Sequence, residues 1–261
     1  MTKLSVNINK IATLRNARGQ DTPNLVSVCR DIIKFGSQGV TIHPRPDERH
    51  ITTQDVYDIH KLLIEVNSDM NKNDPGFIEF NIEGYPSAEF LSLVNDVHPE
   101  QVTLVPDPPH VLTSNAGWDF VENKKTLIDI KNKFNSMNCR VSLFLDPYTF
   151  NDQQALALQE ICPQRIEFYT EQFAKLYSNN KLTESVQMYQ SASNKIQEMN
   201  IEINAGHDLS LENIKYLINN LPEIKEVSIG HALICESLYQ GLDVTIKKYL
   251  YEIKEASKTN D

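Results

Sequence analysis

Arg140-Val141-Ser142-Leu143-Phe144-Leu145-Asp146 is a short run of largely apolar residues that stops on a carboxylate. Seven more runs of this kind recur along the chain with helical stretches between them: Leu4 to Asn7, Gly39 to His43, Phe77 to Glu83, Gln101 to Val105, Arg165 to Thr170, Ile201 to His207 and Glu226 to His231. That spacing suits repeated β/α units. Near-continuous apolar character is what strands covered on both faces by helices show, so the eight runs read as one parallel sheet.

The segments between the runs carry the helical period. Leu25, Val28, Cys29, Ile32 and Ile33 follow Thr22-Pro23, which reads as a cap and first turn, and Gly36 ends that helix. Val56, Ile59, Leu63 and Val66 make a further apolar stripe, as do Leu127, Ile130 and Phe134, and Val186, Tyr189, Ile196 and Met199. Eight alternations in 261 residues fit an α/β fold of the closed (β/α)₈ TIM barrel type, with additional short helices, as a single domain over residues 1–261. The first strand-to-helix connection lacks GxGxxG, which argues against a dinucleotide-binding sheet. Two connections are longer than a plain barrel needs and are read as covers over substrate. Pro106 to Asp119 holds three prolines and Trp118, while Glu171 to Leu182 is polar and begins with helix.

Composition narrows the function classes. A net charge of -10 opposes any general affinity for nucleic acid or an anionic membrane, so a bound anion must be held by a local cluster. Cys29, Cys139, Cys162 and Cys235 are far apart and form no CxxC, which reads as reduced, mostly buried thiols in a cytoplasmic protein. No segment is apolar for long enough to cross a bilayer.

Polar groups gather where the apolar runs stop: Asn7 and Asn9, His43, Glu83, Asp146, Glu167 with Thr170, His207 and His231. In a barrel those ends converge on one mouth. Each position alone is as well explained by a strand reaching water. Together they favour function. His43, His207 and His231 can accept and donate protons near neutral pH. Glu83 ends an apolar run, so burial should raise its pKa as a general acid or base needs, unless an arginine pairs with it. Glu79 and Glu167 read as further interior carboxylates under the same alternative. Arg15, Arg18, Arg45 and Arg49 follow the first two strands, where guanidinium groups could pair with phosphate. Gly206 beside His207 and Gly230 beside His231 lie where barrels often bind phosphate through backbone N–H groups. HExxH and GxSxG are absent, so neither a metal nor a serine nucleophile is expected. These residues leave open an acid/base enzyme, a phosphosugar aldolase or isomerase using Lys10 as a Schiff base, and a non-catalytic phosphometabolite-binding barrel.

Longer motifs narrow the choice. The chain carries Val6-Asn7-Ile8-Asn9-Lys10-Ile11-Ala12-Thr13-Leu14-Arg15-Asn16-Ala17-Arg18-Gly19, then Thr41-Ile42-His43-Pro44-Arg45 with Arg49-His50-Ile51-Thr52, and Asn81-Ile82-Glu83. It continues with Leu104-Val105-Pro106 and Thr113, Ile166-Glu167, Asn204-Ala205-Gly206-His207 and Ile229-Gly230-His231-Ala232. In these it resembles, nearly end to end, the pyridoxine 5′-phosphate synthase family, ring-forming transferases of the deoxyxylulose-dependent route to vitamin B6. The resemblance implies a (β/α)₈ barrel with added helices, a cytoplasmic homo-octamer assembled from dimers, and no metal or organic cofactor. It implies condensation of 3-amino-2-oxopropyl phosphate with 1-deoxy-D-xylulose 5-phosphate to give pyridoxine 5′-phosphate, phosphate and water.

It also implies roles. His43 and Glu83 are proton acceptors, His207 the proton donor, and Glu167 a transition-state stabiliser. Asn7, Arg18, the backbone at Asp208, and Gly230 with His231 hold the aminoketone phosphate. Asn9, Lys10, Arg45, His50 and Thr113 hold the deoxyxylulose phosphate. The chain departs from the family pattern in three places. Asn9-Lys10 stands where other members carry Asp-His, Asp208 where glycine is common, and Tyr169 and Glu171 where histidine and glycine are expected. Lys10 adds positive charge, and the Asp208 carboxylate must point away from any nearby phosphate.

Overall fold

In the first strand, β1 (Lys3–Asn7), Leu4 and Val6 are fully buried in the apolar core, while the Ser5 hydroxyl hydrogen-bonds the Thr41 hydroxyl of the neighbouring strand at 2.7 Å. The same alternation runs through β2 (Gly39–Ile42), β3 (Glu79–Gly84), β4 (Gln101–Leu104), β5 (Arg140–Leu145), β6 (Arg165–Tyr169), β7 (Glu202–Gly206) and β8 (Ile224–Ile229). All eight are parallel and close in chain order, with Leu4 of β1 in register with Val227 of β8. The computed structural model describes residues 1–106 and 117–258.

The eight sequence runs are therefore the eight strands, but the expectation of near-continuous apolar character is corrected. One strand face is apolar and packs outward, and the other is polar and faces the barrel axis. Thr41 accepts from Asn81 Nδ2 at 3.4 Å, and Thr103 Oγ1 donates to Asn81 Oδ1 at 3.1 Å, so a hydrogen-bonded belt crosses β1 to β4. Among the described residues several other buried polar atoms of the barrel have no hydrogen-bond partner, among them Gln101 Nε2, Ser142 Oγ and Asn204 Oδ1. Buried groups of this kind are normally satisfied by ordered water, and each left unsatisfied costs on the order of 1–3 kcal/mol. An apolar interior would have avoided that cost. The polar one places side chains that can exchange protons along the axis.

At the amino end of the barrel, Glu79 receives Lys3 (2.6 Å) and Arg140, while Arg165 reaches Glu202 (2.7 Å) and Glu226 (3.5 Å). The opposing cations decide the charge of Glu79. Burial alone would raise its pKa, but Arg140 and Lys3 hold it down to about 2. Glu79 thus takes the ion-pair alternative, at the end of the barrel away from the candidate site.

Eleven helices are present among the described residues: α1 (Asn9–Asn16), α2 (Leu25–Lys34), α3 (Thr53–Val66), α4 (Ala88–Val97), α5 (Phe120–Asn135), α6 (Asp152–Ile161), α7 (Glu171–Ser178), α8 (Leu182–Glu198), α9 (Ile214–Asn220), α10 (His231–Gln240) and α11 (Leu242–Lys258). The stripes read from sequence face inward, since Val56, Ile59, Leu63, Leu127, Ile130, Phe134, Val186, Tyr189 and Ile196 are all buried. Burying one such side chain stabilises by roughly 1.5–3 kcal/mol. Thr22-Pro23 does not cap α2. Asn24 does, accepting from the Ser27 N–H at 2.8 Å, because a side-chain oxygen at the residue just before the helix reaches the free N–H groups of its first turn. Gly36 follows the helix at φ +109°, as a stop requires.

Glu171 to Leu182 proves to be mostly α7, which leads directly into α8. Of the other long connection, residues 107–116 lie outside the described residues. The chain returns with Trp118 buried and its Nε1 donating to the Leu104 carbonyl at 2.8 Å. All four cysteines are free thiols. Cys29 and Cys139 are buried, but Cys235 is half-buried and Cys162 exposed, so "mostly buried" holds only for the first two. Among the described residues no helix is long and apolar enough to cross a membrane.

Candidate active site

Strand ends are fixed first by two asparagines. Asn7 closes β1, and its Oδ1 accepts the Asn9 N–H at 3.0 Å, which turns its Nδ2 toward Glu83 Oε2 at 3.3 Å. Asn9, in the first turn of α1, accepts the His43 N–H at 2.9 Å. The ends of β1, β2 and β3 are thereby tied together, and His43 and Glu83 are aimed into a common cavity of about 850 Å³ at the carboxyl end of the barrel. His43 Nδ1 stands 3.8 Å from Glu83 Oε2, close but beyond a hydrogen bond.

Electrostatics keeps both groups neutral near pH 7. Burial lowers the His43 pKa well below the usual imidazole range, and Arg45, His50, His207 and Arg49 lower it further. Burial pushes Glu83 up to about 8, with Glu226 adding to the rise and Arg45 and the Asn7 amide opposing it. His43 is therefore a free base and Glu83 a carboxylic acid.

One side of the cavity is cationic. Lys10, Arg45, Arg49 and His50 all line it. His50 is buried, and its Nδ1 accepts the Ile51 N–H at 2.9 Å, which leaves Nε2 as the protonated, donating nitrogen of the neutral ring. Burial lowers its pKa to about 4, reinforced by Arg45, Lys10 and Arg49. The carbonyl of His50 is in turn held by Asn16 Nδ2 at 2.8 Å and Arg15 Nη2 at 3.3 Å. Arg15 is consumed in a two-pronged ion pair with Asp55 (2.5 and 2.8 Å), whose carboxylate completes the capping box of α3 with Thr52. Of the four early arginines, Arg15 is thus a strut rather than a phosphate ligand. Arg18 is exposed in the turn after α1 and does not line the cavity.

The other side is formed by the ends of β6, β7 and β8. His207 and Asp208 take left-handed backbone conformations at φ +70° and +47°, which turns the chain sharply after Gly206. Thr170 holds this turn, its hydroxyl donating to the Gly206 carbonyl at 2.9 Å and also to that of His207. A Cβ at Gly206 would run into the Glu167 carboxylate, so any side chain there would have to displace it. Glu167 is buried below the cavity, 3.9 Å through Oε1 from His207 Nδ1, and burial beside Glu83 and Glu226 raises its pKa well above the usual range. Burial also lowers His207 to about 4, against the opposing pull of Glu171. Gly230 packs against Asn7 and precedes α10, whose first residue is His231, so unpaired N–H groups of the first helical turn face the cavity. Such an end suits an anion.

Most residues singled out from sequence are brought together here: Asn7, Asn9, Lys10, His43, Arg45, His50, Glu83, His207, Asp208, Gly230 and His231 line one cavity. Glu167 lies just beneath it, and Thr113 lies outside the described residues. Thr13, Ser228 and Leu209 also line the cavity and were not singled out. Ser228 had a signal, since two residues before Gly230 it must share the inner face. Among the described residues, no group of three or more His, Cys, Asp or Glu side chains is arranged to hold a metal ion.

Comparison with known proteins agrees with this architecture. The family model described as "Pyridoxal phosphate biosynthesis protein PdxJ" matches residues 4–255. A pyridoxine 5′-phosphate synthase of Cytophaga hutchinsonii is 47% identical over 255 residues, covering 98% of this chain and 100% of the relative. One of Bacteroides thetaiotaomicron is 49% identical over 251 residues, covering 95% and 98%. Among solved structures, a variant tryptophan synthase α-subunit from Pyrococcus furiosus superposes with a TM-score of 0.59 at 10% identity, covering 98% of this chain and 100% of that one. That likeness speaks for the barrel alone.

Proposed function

The chain belongs to the PdxJ family of pyridoxal phosphate biosynthesis proteins, and from that membership we propose that it condenses 3-amino-2-oxopropyl phosphate with 1-deoxy-D-xylulose 5-phosphate, giving pyridoxine 5′-phosphate, phosphate and water. The observation that carries this reading is the meeting of His43, Glu83 and His207 in one cavity between two ends that each suit an anion. Two phosphorylated substrates need two such ends in a protein that is acidic overall.

The roles follow from the environments. Asn7, the backbone at Asp208, Gly230 and His231 hold the aminoketone phosphate, whereas Arg18, exposed outside the cavity, does not take the part the family resemblance gave it. Asn9, Lys10, Arg45, His50 and Thr113 hold the deoxyxylulose phosphate. The substrate supplies the amine that attacks the ketone, so no lysine Schiff base enters. His43, a free base at neutral pH, takes the first proton released next to a carbonyl. Glu83 accepts a second once it has ionised. His207 is neutral by its burial, and two phosphate dianions nearby raise its proton affinity, so substrate binding loads the donor that protonates leaving hydroxyl or phosphate. Glu167, a neutral carboxyl beneath His207, is the transition-state stabiliser of this scheme, its carbonyl oxygen accepting a hydrogen bond from the imidazole once His207 is protonated. No metal or organic cofactor takes part in this scheme.

In the same reading one barrel unit over residues 1–261 carries the activity, and the working form is a cytoplasmic homo-octamer assembled from dimers. Incubation with both substrates should release pyridoxine 5′-phosphate and stoichiometric phosphate, and His207→Ala should abolish both. Absence of product from fresh substrates would overturn the proposal. Light scattering in solution tests the octamer.

A further inference from the structure

His207 is the most consequential imidazole of the cavity, yet among the described residues its ring has no hydrogen-bond partner that would fix its orientation. Nδ1 is buried and unpartnered, with Glu167 Oε1 at 3.9 Å, too long for a hydrogen bond. Histidines that move protons are usually held by a bond to one ring nitrogen. Here aromatic rings stand in that place. Phe144 meets the imidazole edge-on at 4.8 Å between centroids (64°), and Tyr169 does so at 5.4 Å (72°). The two rings also touch each other at 5.6 Å, so the three form a closed triangle.

Tyr169 is the more firmly held of the two brackets. Its hydroxyl donates to Glu171 Oε2 at 2.5 Å, and its backbone carbonyl accepts from the buried Tyr189 hydroxyl at 2.8 Å. The tyrosine is thus anchored at ring tip and main chain, one anchor on α7 and the other on α8. Edge-to-face pairs of this kind are worth about 0.5–1.5 kcal/mol each beyond burial, enough to bias a ring rotamer several-fold.

We propose that Tyr169, tethered by Glu171, is a positioning residue for His207: its ring and that of Phe144 clamp the imidazole so that Nδ1 stays over Glu167 and the opposite edge is presented to substrate. This rests on the proposed role of His207 as proton donor. The groups that face His207 and bear on its titration are Glu167 on β6, Glu171 on α7, Asp208 next in the chain and His43 across the cavity. Removing the Tyr169 ring lets water reach the imidazole, which moves its pKa upward toward the ordinary value, whereas neutralising Glu171 removes a negative charge and moves it downward.

The test follows the imidazole ¹³Cε1–¹H resonance of His207 against pH in the full-length protein, with His207→Asn as the assignment control, beside steady-state kinetics. Tyr169→Leu should raise the His207 midpoint by about one pH unit and lower kcat about tenfold, with both KM values within about twofold. Tyr169→Phe, which keeps the ring, should restore kcat to within about threefold of the parent. Glu171→Gln should shift the midpoint down. If Tyr169→Leu does not fold, Tyr169→Met, whose longer flexible side chain fills irregular gaps without a flat ring, is read in the same way. An unchanged midpoint and kcat in the leucine or methionine variant overturns the proposal, as does a rise in KM alone, which would make Tyr169 a substrate contact. If the parent protein makes no pyridoxine 5′-phosphate, the synthase reading has failed, while the resonance shift still decides whether Tyr169 positions His207.

Discussion

Gly206 and Glu167 occupy each other's space: the position a Cβ of residue 206 would take is filled by the Glu167 carboxylate, which in turn lies 3.9 Å from His207 Nδ1. A glycine on β7 is therefore what lets a carboxyl on β6 reach the imidazole that follows it. Gly206→Ala should displace Glu167, destabilise the protein by about 1–3 kcal/mol and lower kcat on the order of a hundredfold. Denaturant unfolding and turnover measure the two effects. Glu167→Gln is the milder change, because the carboxyl is already neutral in the fold, and it should leave unfolding nearly unaltered while lowering kcat. An alanine variant with parental kcat would remove Glu167 from the mechanism.

Glu83 accepts a proton only as a carboxylate. With its pKa pushed up to about 8, kcat/KM should rise with pH through that region, and Glu83→Gln should abolish activity along with the limb. The same shift has a stability signature of the opposite sense. Between the ordinary carboxyl range near 4.5 and about 8 the unfolded chain ionises at this residue while the folded one does not, so stability is full below that window and declines across it. The thermal midpoint of Glu83→Gln should fall less over the same interval than that of the parent.

Lys10, Arg45 and His50 converge on one side of the cavity, and His50 presents Nε2 there as a donor. His50→Ala should raise KM for deoxyxylulose phosphate about tenfold or more, with KM for the aminoketone changed far less. Lys10→Gln should act in the same direction, and its effect should shrink at high salt, since an exposed charge is screened within about 8–10 Å at physiological ionic strength. Equal changes in both KM values would show that the cationic side does not discriminate between the substrates.

Glu79 closes the opposite end of the barrel by binding Lys3 and Arg140. Glu79→Ala leaves the part-exposed Arg140 without its carboxylate and should cost about 1–3 kcal/mol without affecting KM. Because its pKa is held near 2, the contribution of Glu79 is complete above about pH 4.5 and lost as pH falls toward 2. Acid unfolding followed by circular dichroism should therefore begin at lower pH in the parent than a scan of unpaired carboxylates would give, and the alanine variant should lack this dependence.

The number of strands, their order and the polar residues at their ends are legible in the chain alone. These are local properties, visible wherever a run such as Ile203-Asn204-Ala205-Gly206-His207 breaks from apolar to polar, and the motifs around Asn7 and Gly230 added the family. Three features emerge only once the barrel closes. The first is the polar barrel axis: Ser5, Thr41, Asn81 and Thr103 lie up to 98 residues apart yet share one hydrogen-bonded belt, and no local pattern reveals which strand face closes on itself. The second is the sorting of like residues. Glu79, Glu83 and Glu167 look alike as strand carboxylates, but Glu79 meets cations and ionises, whereas Glu83 and Glu167 meet desolvation and each other and stay protonated. Arg15 and Arg45 part in the same way, one pinned to Asp55 and the other lining the cavity. The third is the aromatic clamp on His207, built from β5, β6 and a tether on α7. Each depends on which distant groups share a low-dielectric space, and that is set by barrel closure rather than by neighbours in the chain.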